Sequence, residues 1–114
     1  MIKIYHNNSC SKSRAAFELL KAKNLEFEIH EYLKNVPSKE ELKEIIVLLK
    51  IKPFDLIRKN ESIFKEKYNQ IILTDEEWID VMLENPILIE RPIVIKDGQA
   101  AIGRPIENII NLLK

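Results

Sequence analysis

The segment Asn7-Asn8-Ser9-Cys10-Ser11-Lys12-Ser13-Arg14 holds the only cysteine of this 114-residue chain, followed within four positions by two basic side chains. In cysteine chemistry the nucleophile is the thiolate, and a free cysteine with a pKa of about 8.5 is only about 3% ionised at neutral pH. A helical pattern begins at Ser11, with Ala16, Phe17 and Leu20 at helical spacing. A sulfur at that helix N-terminus lies over unpaired N–H groups and positive partial charge, which favour the thiolate and can cradle an oxyanion. Cys10 is therefore read as a reactive thiol. A packing cysteine belongs inside an apolar run, not in so polar a segment.

The chain's other three arginines extend this reading. Arg58 stands in Leu-Ile-Arg-Lys-Asn-Glu at the end of a predicted short helix, Arg91 precedes Pro92 before a strand, and Arg104 precedes Pro105 between a strand and the last helix. Each alone reads as a solvated surface residue. Together they offer rigid, permanently charged forks that grip oxyanions bidentately. Arg14 is a nearby supporting base. Pro92 is a candidate cis proline at the sheet edge. His6 either orients the thiol or merely ends a strand. Ser13 either contacts the thiolate or anion or caps the helix. His30 is assigned to a strand surface.

The elements that must position these residues follow from hydrophobic periodicity. Residues 2–5 form a short strand, 11–23 a helix, and the alternating stretch 25–32 a half-buried strand, so the chain opens β-α-β with two parallel strands. Ser38 and Glu41 make a capping-box pattern before a helix over 38–50, and Thr74 and Glu77 repeat it before a helix to Glu84 that Pro86 ends. Pro53 opens a short helix over 53–59, and 61–69 adds a helical turn or two. Residues 92–95 and 100–102 read as strands joined through Asp97-Gly98, a hairpin signal, and Pro105 opens a final amphipathic helix. The expectation is an α/β, thioredoxin-like (glutaredoxin-like) fold: a four-stranded mixed sheet with flanking helices and a helical insertion.

Bulk properties narrow the function classes. Residues 1–114 have the size of a single domain. Eighteen basic side chains balance 18 acidic ones, which argues against general nucleic-acid or anionic-membrane binding and points to a monomer. No apolar run reaches the length of a membrane span, and the N-terminus lacks a signal-peptide pattern. An unprotected thiol suits a reducing, cytoplasmic setting. Cys10, His6 and His30 show no zinc-like spacing, so no metal is expected. A tyrosine-phosphatase-like loop needs Cys-x5-Arg, but the residue at that position is Ala16. Without a second cysteine the chain cannot close an internal disulfide, so any redox cycle at Cys10 would draw on outside thiols.

With these residues in hand, the chain resembles the glutaredoxin-coupled arsenate reductases over essentially its whole length. The likeness rests on Ile-Tyr-His-Asn-Asn-Ser-Cys-Ser-Lys-Ser-Arg (4–14), Leu-Ile-Arg-Lys-Asn-Glu (56–61), Asn-Pro-Ile-Leu-Ile-Glu-Arg-Pro-Ile-Val-Ile (85–95) and Gly-Arg-Pro (103–105), in that order. It implies that Cys10 is the catalytic cysteine, that Arg58, Arg91 and Arg104 bind arsenate, that His6 and Ser13 neighbour the thiolate, and that Pro92 is cis. It further implies arsenate as substrate, glutathione as co-substrate with no bound cofactor, and glutaredoxin as protein partner. The Cys-Ser-Lys-Ser-Arg loop is closest to an arsenate reductase-like subgroup, which leaves a thiol-redox protein of other substrate as an alternative. The superfamily also contains the Spx regulators, which bind RNA polymerase and carry Cys-x-x-Cys, but Ser13 stands at the second of those positions.

Overall fold

The computed structural model describes residues 1–114. Internal contacts divide the chain into two compact units, Met1–Asn35 with Arg91–Lys114, and Val36–Glu90.

The first unit carries the sheet. Strand β1 (Ile2–Tyr5) leads into α1 (Ser11–Ala22), then β2 (Phe27–His30); the chain returns in β3 (Ile93–Lys96), β4 (Gln99–Ile102) and α5 (Glu107–Leu112). The strand order is β2-β1-β3-β4. β1 runs parallel to β2 and antiparallel to β3, which pairs antiparallel with β4. This is the mixed four-stranded sheet the sequence predicts. Ile2 and Ile4 on one face of β1 join Val94 of β3, Ala16 and Leu20 of α1, and Ile109 of α5 in a buried cluster. Burying each large aliphatic side chain there contributes about 1.5–3 kcal/mol, so α1 and α5 are fixed to one face of the sheet. Asp97 and Gly98 both have positive φ, 49° and 77°, and close a two-residue hairpin of the primed type that suits strand twist.

Two boundaries differ from the sequence reading. β2 covers 27–30 rather than 25–32, because the Leu25 N–H turns to Leu20 O and Glu31 O accepts from Lys34 and Asn35 in a turn, so neither end is left for the ladder. The last helix begins at Glu107, not Pro105. Pro105 O accepts from Asn108 N–H and Ile106 O from Ile109 N–H, a tighter turn that precedes the α-helix.

The second unit is helical: α2 (Lys39–Leu49), α3 (Ser62–Lys67) and α4 (Asp75–Glu84), with short 3-10 turns at Pro53–Leu56 and Pro86–Leu88. Ser38 Oγ accepts from Glu41 N–H at 3.1 Å. Thr74 and Glu77 complete a reciprocal capping box at 3.2 and 2.9 Å. α2 packs on α4, burying Leu42, Ile45 and Ile46 on one helix and Trp78, Val81 and Met82 on the other. Lys39 joins the two through Glu76 and Asp80 at 2.8 and 3.0 Å. The expected helix over 53–59 stops at Leu56, since Ile57 is extended and bridges Ile89. Pro86 both ends α4 and opens the next short turn.

Candidate active site

Cys10 is the residue that precedes α1, in extended conformation with φ −100° and ψ 124°. Its own carbonyl accepts the first helical bond, from Arg14 N–H at 3.0 Å, and its N–H donates to Asn7 O at 3.0 Å. The approach loop is folded on itself: Ser9 N–H donates to Asn7 Oδ1 and Arg14 Nη1 donates to Asn8 O, both at 3.0 Å. Arg14 thus ties down the loop from an exposed position on the first turn of α1.

The thiol sits in a donor-rich setting. Burial works to raise its pKa, but the Ser13 N–H, the Arg91 side chain, the Lys12 N–H and the positive charge of Arg104 outweigh it, so the Cys10 pKa is lowered. Arg104 Nη2 lies 3.0 Å from Cys10 Sγ. The two N–H donors are the unpaired groups of the α1 N-terminus that the sequence places under the sulfur.

Arg91 and Arg104 are held by the same stitch. Both Arg91-Pro92 and Arg104-Pro105 peptide bonds are cis. Pairing of Ile93 with Ile102 brings the start of β3 beside the end of β4. Gly103 N–H then donates to Pro92 O at 2.8 Å, and Arg104 Nε donates to Arg91 O at 2.7 Å. One guanidinium therefore bridges a backbone carbonyl and the sulfur, which fixes its direction. Gly103 makes the close approach possible: a Cβ there would lie 2.8 Å from Pro92 Cγ and still nearer Ile109 Cδ1. The Gly-Arg-Pro motif points to Arg104 and not to Gly103, although a glycine where a strand ends against Arg-Pro is a signal of close backbone approach.

His6 and Ser13 form a buried pair. Ser13 Oγ accepts from Asn7 N–H at 3.0 Å and lies 2.7 Å from His6 Nδ1. The Ser13 hydroxyl and the His6 ring are both satisfied if the hydroxyl donates to Nδ1, which leaves the ring proton on Nε2, facing Asn8 Oδ1 at 3.5 Å. Of the readings left open for Ser13, its backbone N–H serves the thiol while its hydroxyl anchors the loop. His6 orients that loop and stacks, tilted, on Phe17 at 5.5 Å. His30 is half-buried on β2, its ring 5.1 Å from Tyr5.

Arg58 belongs to the helical unit. It follows the bridge residue Ile57 rather than ending a helix, and its N–H donates to Leu88 O at 2.7 Å. Its Nε donates to Glu61 at 3.1 Å and its Nη1 to Glu90 at 2.8 Å. Burial alone would lower its pKa, yet these two carboxylates raise it. The structure thus gathers Arg91 and Arg104 at Cys10, and holds Arg58 between two glutamates.

A β-α-β and β-β-α sheet with a cysteine at the α1 N-terminus and a cis proline opening β3 defines a thioredoxin-like protein. The chain belongs to the ArsC family, whose model matches residues 5–112. It is 38% identical to YfgD of Escherichia coli (strain K12), with 98% of this chain and 96% of that protein covered. It is 39% identical to an arsenate reductase of Neisseria meningitidis, with 95% and 94% covered. Among solved structures, an arsenate reductase from Vibrio cholerae superposes with a TM-score of 0.91 at 38% identity, covering 96% of this chain and 95% of that one. No helix is long and apolar enough to cross a membrane.

Proposed function

We propose that the chain reduces arsenate to arsenite, with Cys10 as nucleophile, glutathione as co-substrate and glutaredoxin as protein reductant. The observation that carries this reading is the placing of Arg104 Nη2 3.0 Å from the sulfur of Cys10 at the α1 N-terminus, a setting that lowers the thiol pKa. Family membership and the arsenate reductase named among its close relatives support it.

Arg91, Arg104 and the Lys12 and Ser13 N–H groups are the donors for the bound oxyanion, and they stabilise the negative charge that builds as sulfur attacks arsenic. A third guanidinium at Arg58 is what the family resemblance implies; its own bonds are to Glu61 and Glu90. The Cys10 thiolate forms an S–As(V) bond and hydroxide leaves, protonated to water. The glutathione thiol displaces a second oxygen from arsenic, again as water. Glutaredoxin thiolate then attacks the glutathione sulfur. That As–S electron pair stays on arsenic, which becomes As(III), and the mixed disulfide departs. Water hydrolyses the Cys10–As bond, releasing arsenite and the thiol. Two thiols are oxidised and one arsenic gains two electrons. A cytoplasmic setting goes with this proposal, because the cycle is fed by glutathione.

The test is NADPH consumption with arsenate, glutathione, glutaredoxin and glutathione reductase. An arsenate-dependent rate that disappears in Cys10→Ser supports the proposal. A rate that is independent of arsenate, but still needs Cys10, assigns the site to a mixed-disulfide substrate instead.

A further inference from the structure

The helical unit carries a groove of about 690 Å³ that the proposed chemistry does not use. Its floor is aromatic, formed by Phe54, Phe64 and Tyr68, and its lip is Ile71 and Ile72. Ile72 is 96% exposed, and Phe54 and Ile71 are also exposed. Large aliphatic and aromatic side chains gathered this openly in a charge-rich protein mark an interaction surface.

The lip is held in place at both ends. Asn69 N–H donates to Phe64 O at 2.9 Å and Ile71 N–H to Tyr68 O at 3.2 Å. Asn85 of α4 reaches the Tyr68 hydroxyl at 3.4 Å, and the Thr74–Glu77 capping box closes the far end. Ile71 and Ile72 are therefore presented on a fixed scaffold and were not left outside by fraying.

The charged side chains that line the groove itself have one sign. Its two charged lining residues are Lys59 and Lys65. Lys59 Nζ is pinned by Phe54 O at 2.9 Å and lies 4.3 Å above the Phe54 ring. Neither lysine is salt-bridged to a carboxylate, whereas Lys39 and Lys43 in the same unit are both paired with Glu76.

We infer that this groove docks a short acidic amphipathic segment of a partner protein, its aliphatic side chains on Phe54, Phe64 and Ile72 and its carboxylates on Lys59 and Lys65. Apolar anchors with complementary charge at the rim are the elements of segment-in-groove recognition. A small fatty anion would share the chemistry, but Ile72 stands proud of the groove, and only a larger body covers it.

The probe is a fluorescein-labelled synthetic peptide with leucines at i, i+3 and i+4 spacing and glutamates elsewhere, together with its Glu→Lys counterpart. Anisotropy titration of the full chain should show saturable binding of the acidic peptide that weakens with salt. Ile72→Ser and the Lys59→Glu/Lys65→Glu double variant should each weaken it about tenfold or more, while circular dichroism confirms that both remain folded. Equal affinity for the two peptides, no saturation, or displacement by decanoate overturns the inference. So does a concentration-dependent dimer in sedimentation that Ile72→Ser abolishes, because the occupant is then a second copy of the chain.

Discussion

Replacing Arg104 by Gln removes the guanidinium 3.0 Å from Cys10 Sγ while keeping a side chain able to reach the Arg91 carbonyl. A hydrogen bond to a charged partner contributes about 1.5–3 kcal/mol, and partial solvent access reduces that to about 1–1.5 kcal/mol here. With tenfold per 1.4 kcal/mol, the thiolate population below its midpoint falls roughly 5- to 12-fold. The assay is the rate of Cys10 alkylation by iodoacetamide against pH; a small reagent is needed because Cys10 is only 8% exposed. Intrinsic nucleophilicity rises with thiol pKa, with a slope of about 0.4–0.5. The variant should therefore alkylate more slowly than wild type at low pH and somewhat faster on the high-pH plateau. The two profiles should cross, and Arg104→Lys should lie between them. A merely structural loss would shift the whole profile in one direction. If the Gln profile superimposes on wild type, the Arg104 charge does not act on the thiol and the electrostatic argument is wrong.

Three further outcomes follow from the same geometry. Gly103→Ala forces a methyl against Pro92 and Ile109, and overpacking of this kind should cost about 1–3 kcal/mol in urea denaturation and slow Cys10 alkylation as Arg104 shifts. Ser13→Ala orphans the buried Asn7 N–H and the His6 Nδ1, so it should cost about 1–3 kcal/mol by the same measurement. The Cys10 pKa is lowered on folding, so between that value and the ordinary thiol range near 8.5 the unfolded chain binds more protons and stability rises with pH. This contribution is complete above about pH 8.5, and is lost as pH falls through the folded-state value. Urea midpoints across that window should show the rise in wild type and its absence in Cys10→Ser.

What the sequence made legible was local. Cys10 at a strand-to-helix junction, the Asp97-Gly98 hairpin and the two capping signatures each state their geometry within a few residues, and each takes the expected form. Arg91 and Arg104 could be singled out because proline follows both at strand boundaries. Their convergence depends on β3 pairing with β4, a non-local event. Gly103 is not legible in the sequence because its small size matters only once Pro92 and Ile109 are packed against it. Arg58 shows the other limit. Glu61 lies three residues on and could be anticipated, but Glu90 is 32 positions away and meets it through the Ile57–Ile89 bridge. His6 and Ser13 stayed ambiguous for a similar reason: a hydroxyl and an imidazole seven positions apart do not reveal which partners they face until the loop between them is closed.

In the proposed function Cys10 carries arsenic through a two-electron reduction with borrowed thiols. Its most direct measurement is the arsenite formed in a single turnover with glutathione and glutaredoxin, quantified beside the glutathione–glutaredoxin disulfide. The account predicts arsenite and mixed disulfide in equal amounts from the wild-type chain, and neither above background from Cys10→Ser. Arsenite formed equally by both proteins, or no arsenite from a wild-type protein whose thiol alkylates as expected, would contradict it.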